Sequence, residues 1–109
     1  MYRNQSLTQS VVELYGDVSF EWDEAKSTRN ARERNLPFDL APLLFAGPRL
    51  ITEDRRKDYG EARFQLIGLA GSEILYCIYT MRANGVCRII SLRHTNRRER
   101  HAYRTAHPG

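Results

Sequence analysis

Only two cysteines and one tryptophan occur among the 109 residues. The chain has no glycine-rich phosphate loop, no Cys/His cluster with zinc spacing and no serine in a nucleophile elbow. P-loop chemistry, a zinc centre and the serine hydrolases are thereby set aside. No apolar run approaches the roughly 20 residues that span a bilayer. The stretch before Ser19 is too polar for a signal peptide, so a cytoplasmic protein is expected. Internal repeats and low-complexity tracts are absent as well.

What is present is an excess of positive charge: 17 Lys and Arg against 13 Asp and Glu, a net +4 with a pI near 9.4. An anionic partner fits this balance, nucleic acid being the commonest. The alternative is a mildly basic protein whose solvated cations steer little at physiological salt. A hydrophobic fraction of 41% and a charged fraction of 28% are ordinary for a globular chain. The length suits one domain with a real core.

Residues 1–18 carry little period, with Val11, Val12, Leu14 and Tyr15 as an apolar cluster and a short helix expected around Leu7 to Leu14. Ser19 to Trp22 reads as a short strand. Asp23 can cap a helix from Glu24 to about Arg34, with Glu24 at the positive end of its dipole. Its packing is expected through Ala25, Ala31 and the flanking Trp22. Asn35 can end it in a left-handed conformation before Pro37. A second helix, Asp39 to Phe45, stops at Gly47-Pro48. A strand from Arg49 to Glu53 leads into a charged loop, Asp54 to Glu61. Three antiparallel strands follow, at about Ala62 to Leu69, Glu73 to Arg82 and Val86 to Arg93, joined by Gly71-Ser72 and Asn84-Gly85 as tight turns. Thr95 or Asn96 caps a last helix, with Glu99 placed for a capping box. The class is α+β: a small antiparallel sheet with two helices before it and one after.

Two-residue turns fix a register. One face then collects Phe64, Leu66, Leu75, Cys77, Tyr79, Met81, Val86, Ile90 and Leu92, the expected core. The other collects Arg63, Gln65, Tyr76, Thr80, Arg82, Ser91 and Arg93, with Ile67, Ile78 and Ile89 among them. Such a face suits a phosphate-binding floor, or simply a sheet half open to water. Arg88 falls on the core side and must snorkel or pair with an acid. Cys77 faces Leu92 and Cys87 faces Arg82, on opposite faces and more than about 10 Å apart at roughly 3.3 Å per residue. That exceeds disulfide reach and offers no metal site, so both are expected as buried free thiols. A one-residue bulge would swap these faces.

Arginine-rich chemistry is what remains. RNA cleaved by its own 2′-hydroxyl needs no metal; a protein must orient that nucleophile, stabilise the pentacovalent phosphate and assist proton transfer. Arginine forks match the developing phosphate charge. Lys26, Glu61, Tyr103 or a histidine are available to move protons. His94, His101 and His107 are scattered, and a surface role is expected for them.

The ordered set Phe20-Glu21-Trp22-Asp23, Lys26, Asn30, Glu53-Asp54-Arg55-Arg56, Asp58-Tyr59-Gly60-Glu61, Arg63-Phe64, Arg88-Ile89-Ile90-Ser91, Arg93, Thr95, Arg97-Arg98-Glu99-Arg100 and Tyr103 resembles the BrnT family of type II toxin–antitoxin modules. The resemblance runs from about Phe20 to Tyr103. It implies a RelE-like fold in a domain over 20–106, preceded by an extension over 1–19. It also implies ribosome-independent, metal-independent endoribonuclease activity without a cofactor, which arrests translation. A BrnA-like ribbon-helix-helix antitoxin is the implied partner, contacting operator DNA itself. By position, Arg63, Lys26, Glu61, Arg93 and Tyr103 are the candidate catalytic residues. Arg82, Arg97, Arg98, Arg100 and Arg104 are the candidate RNA contacts. Trp22 and Tyr59 fit core or lid roles, and Asp54 and Asp58 fit ordering of the Arg55-Arg56-Lys57 loop. Family members usually carry Lys-His-Gly where this chain has Arg34-Asn35-Leu36. A non-catalytic module that binds nucleic acid or only its antitoxin is the alternative function.

Overall fold

The computed structural model describes residues 18–109, so the helix expected near Leu7 lies outside the described residues. Five strands form one sheet: β1 (Ser19–Glu21), β2 (Arg49–Asp54), β3 (Arg63–Ala70), β4 (Glu73–Arg82) and β5 (Val86–His94), in the order β1-β5-β4-β3-β2. The sheet is mixed rather than antiparallel, because β1 runs parallel to β5 while the other pairs are antiparallel. The intervening helix and hairpins carry the chain right across the sheet, which a tight turn between β1 and its neighbour would not allow.

Helix α1 (Glu24–Arg34) starts where expected, with the Asp23 carboxylate accepting the backbone N–H groups of Ala25 and Lys26 at 2.9 and 3.2 Å. It ends at Asn35, left-handed at φ 58°. Its attachment is partly as expected: Trp22 is buried in the main core, but Ala25 is exposed, and polar side chains add further anchors. β1 stops opposite Arg88. Farther along β5, the carbonyls of Ile90 and Leu92 accept from Lys26 Nζ at 2.8 Å and Asn30 Nδ2 at 2.9 Å. α1 thus closes the strand edge that three-residue β1 leaves open.

The expected second helix is shorter, a 3₁₀ turn at Phe38–Leu40 followed by α2 (Ala41–Leu44). Leu36, Phe38, Ala41, Leu44 and Phe45 from this segment pack with Phe20, Trp22, Leu66, Leu75, Cys77, Tyr79 and Leu92 in the main core. Each fully buried Leu or Phe contributes roughly 1.5–3 kcal/mol. Gly68 lets α2 approach β3: a Cβ there would meet the Leu44 carbonyl oxygen at 2.8 Å.

The β4–β5 turn holds three residues, Ala83–Gly85, not two. Arg82 therefore pairs with Val86, Met81 with Cys87 and Thr80 with Arg88; a bulge beyond Tyr79 then restores the expected pairs Ile78–Ser91 and Cys77–Leu92. A one-residue shift exchanges faces. Cys87 and Ile89 enter the core at 0% and 2% exposure, Ile90 moves to the other face, and Arg88 leaves the core side to meet Glu21. This register buries two apolar side chains and avoids an unpaired charge in the core. Cys77 and Cys87 share the main core rather than opposite faces, and both are free thiols.

Helix α3 (Arg97–Ala106) has its capping box, with Asn96 and Glu99 exchanging bonds at 2.8 and 3.0 Å. It lies on the sheet face opposite α2. Tyr103 packs there with Ile67, Ile74, Tyr76 and Ile78.

Candidate functional site

The registers pair Asp54 on β2 with Arg63 on β3, and Thr80 on β4 with Arg88 on β5, which pairs in turn with Glu21 on β1. Continuing the Phe64–Tyr79 register by one residue joins these five into a row across the sheet. Strands lie about 4.8 Å apart, so the Arg63 and Arg88 backbones flank Thr80 about 10 Å from each other. Two guanidinium forks can close on one phosphate from that separation. Acids hold both arginines: Arg88 Nη1 donates to Glu21 Oε2 at 2.8 Å, and Arg63 Nε to Glu61 Oε2 at 3.2 Å. Between them, the Thr80 hydroxyl donates to the Ala62 carbonyl at 2.6 Å.

Lys26 enters this field from α1. Burial is the main cause that lowers its pKa from the ordinary lysine value; Asp23 opposes the shift, and the charges of Arg88, Arg29 and Arg63 add to it. Three elements therefore bring cations to one end of the face. Two rows farther along, Leu50, Ile67, Tyr76 and Arg93 align. That end is apolar and lies under α3. The face expected as a polar floor is thus divided into a cationic end and a roofed end.

Arg93 and Tyr103 belong to the roofed end. The Arg93 guanidinium stacks on the Tyr76 ring at 3.8 Å and donates to both Glu99 carboxylate oxygens at 2.9 and 2.7 Å. That bond raises the Arg93 pKa and is the first cause lowering that of Glu99. Tyr103 is 4% exposed, donates to the Pro48 carbonyl at 2.8 Å, and has its phenol pKa raised by burial. Arg100 donates to the Thr95 carbonyl. Arg82, Arg97, Arg98 and Arg104 are exposed, with no ion pair among the described residues. His94 bonds Glu73 and the Arg34 carbonyl at 2.6 and 3.1 Å, and His107 bonds the Arg49 carbonyl at 2.8 Å. Among the described residues no three His, Cys, Asp or Glu side chains converge as a metal site.

The structure therefore pairs Glu61 with Arg63, anchors Lys26 on β5 at Ile90, and adds Arg88, which two-residue turns place on the core side. The signal for Arg88 was the burial pattern: only a three-residue turn places both Cys87 and Ile89 inside. A family model described as a ribonuclease toxin, BrnT, of type II toxin–antitoxin systems matches residues 22–99. The chain belongs to the BrnT family. No curated protein matches the chain, and no solved structure does. Membership makes it a toxin of the ribonuclease kind, with RNA as substrate and an antitoxin as partner. The span matched to BrnT contains Lys26, Glu61, Arg63, Arg88 and Arg93, and ends before Tyr103 and Arg104.

Proposed function

We propose that this BrnT-family toxin is a metal-independent, ribosome-independent endoribonuclease whose site is the cationic end of the sheet. The observation that carries the reading is the placement of Arg63 and Arg88 on either side of Thr80, which pairs with Arg88 and donates to the carbonyl of Ala62 next to Arg63, with Lys26 anchored on β5 at the Ile90 carbonyl. The arginines grip the scissile phosphate and stabilise the charge that builds on its oxygens. Glu61, beside Arg63, accepts the proton of the RNA 2′-hydroxyl. The 2′-oxygen then attacks phosphorus, the bond to the 5′-oxygen breaks, and the Lys26 ammonium supplies the proton that the leaving oxygen takes up. Products are a 2′,3′-cyclic phosphate and a 5′-hydroxyl. Burial and neighbouring cations make Lys26 a better acid than a solvated lysine.

Arg93 and Tyr103 serve, in this reading, to seat α3 rather than to touch the reacting phosphate. Arg82, Arg97, Arg98 and Arg104 contact the RNA backbone away from it, and Arg100 supports the helix that carries them. A helix laid across one face of a small sheet supports the RelE-like comparison. The antitoxin is of the BrnA-like ribbon-helix-helix kind; it covers the cationic face and carries the operator-DNA contacts.

Purified, antitoxin-free protein incubated with a defined RNA in EDTA, beside Arg63→Ala, tests the proposal. Cleavage in wild type with cyclic-phosphate ends, lost in the variant, is expected. Intact RNA from a demonstrably folded wild type would overturn it and leave a non-catalytic RNA- or antitoxin-binding module.

A further inference from the structure

Two arginines on this sheet stack on tyrosines, and they differ in what is left of their donors. Arg93 lies 3.8 Å from the Tyr76 centroid, and both terminal nitrogens are occupied by Glu99. Arg63 lies 4.3 Å from the Tyr59 centroid, and among the described residues only its Nε has a partner, Glu61. Stacking engages the guanidinium face and leaves the in-plane N–H edge free for a ligand. Arg93 is sealed; Arg63 is held but open.

Tyr59 is itself fixed. Its hydroxyl donates to Asp54 Oδ2 at 3.0 Å. The same carboxylate accepts Arg56 Nε and Nη2, both at 2.8 Å, and the Arg56 backbone N–H at 3.2 Å. Asp54 is 4% exposed, although it ends an edge strand beside a loop of exposed charged residues. Gly60, at φ 75°, turns the chain directly after Tyr59 and returns it to Glu61 and Arg63. The loop thus runs from a buried carboxylate, through a tethered ring, to an arginine with a free fork.

We propose that Tyr59 is the positioning residue of this toxin: locked by Asp54, its ring holds the Arg63 guanidinium edge-on to the scissile phosphate before RNA arrives. Preset donors act on transition-state charge without reorganising, so the benefit appears in the rate of cleavage rather than in RNA affinity. The inference rests on the nuclease reading and on Arg63 touching phosphate. It goes further in assigning a role to a ring that makes no contact with substrate.

The test compares wild type with Tyr59→Phe, Tyr59→Leu and Arg63→Ala. It reads single-turnover cleavage, affinity for the same RNA 2′-O-methylated at the cleaved step, thermal unfolding, and the Arg63 side-chain NMR signals. A ring beneath the guanidinium shifts those signals upfield. Tyr59→Leu is expected to lose the upfield shift and cleave about tenfold more slowly, a change of one decade being about 1.4 kcal/mol in barrier. Its affinity for the methylated RNA stays within about twofold, because phosphate charges dominate binding. Tyr59→Phe keeps the ring but loses its bond to Asp54, so it retains part of the shift and cleaves at a rate between those of Tyr59→Leu and wild type. Loss of the shift in Tyr59→Leu with an unchanged cleavage rate overturns the positioning role. Slowing of Phe and Leu alike, in step with lowered melting temperatures, also overturns it, since only loop stability would then be at work. Failure of the nuclease reading looks different: wild type itself leaves RNA intact, or Arg63→Ala cleaves normally.

Discussion

Asp54 gathers more donors than any other carboxylate in the described protein, and its protonation state decides how well it can hold them. The bond from the Arg56 side chain, followed by the Arg56 backbone and Tyr59, keeps its pKa well below the carboxylate range against the opposing effect of burial. A depressed folded-state pKa stabilises the protein fully above the unfolded value of about 3.9 and is lost as pH falls below it toward the folded value. Wild type should therefore lose urea resistance as pH drops below about 4. Asp54→Asn should be weaker at neutral pH and show a flatter acid limb, a difference that isolates Asp54 from Glu99, whose pKa is also lowered. Equal acid slopes in the two proteins would remove Asp54 from this role. Gly68 offers a second residue-level test. A methyl there collides with the backbone of Leu44, not with a flexible side-chain end. Gly68→Ala should cost about 1–3 kcal/mol in urea unfolding, with the RNA site, on the opposite face, cleaving normally at low temperature.

At the level of elements, what was legible in the sequence depended on whether local chemistry or distant pairing decided the outcome. Caps are local: Asp23, Asn35 and the Asn96–Glu99 box occupy the positions expected of them, and α1 and β4 have the expected bounds. Register is not local. Asn84 and Gly85 both take positive φ, as their types suggested, yet Ala83 joins the turn because burying Cys87 and Ile89 outweighs the shorter loop. The parallel placement of β1 depends on partners more than 60 residues away, such as Glu21 and Arg88. The candidate site followed the same division. Arg63 and Glu61 sit close in sequence and in space, whereas Arg88 appears only once the three-residue turn is known, and the commitment of Arg93 to Glu99 only after α3 is docked. α1 shows how a polar helix can be structural. Asn30 donates to both the Leu36 and the Leu92 carbonyls, at 2.7 and 2.9 Å. Asn30→Ala removes both bonds from half-buried acceptors and should cost about 1–3 kcal/mol of stability. At temperatures where the variant is folded, its cleavage rate should match wild type; a lost rate with intact stability would make Asn30 part of the site.

Across the whole molecule, many of the acids are taken up in ion pairs and the surplus cations point out. Glu21, Glu53, Asp54, Glu61, Glu73 and Glu99 each pair with a neighbouring arginine or histidine. The net +4 is therefore expressed through exposed arginines such as Arg82, Arg97, Arg98 and Arg104. Because α3 is seated by Tyr103 and by Glu99 on Arg93, Arg97 and Arg98 stand on a fixed platform at the roofed end of the face. Single-stranded RNA releases about 0.7 counterions for each phosphate a protein neutralises. Replacing Arg97 and Arg98 together by Gln should flatten the plot of log affinity against log salt by up to about 1.4, and weaken binding most at low salt. The cleavage rate at saturating RNA should stay near wild type, because both side chains are exposed on the helix that covers the roofed end. Arg63→Ala should do the opposite, abolishing cleavage while lowering the slope by about 0.7 at most. If the Arg97/Arg98 variant instead lost its rate and kept its salt slope, α3 would be part of the catalytic site and the division of the sheet face into a reacting end and a roofed end would fail.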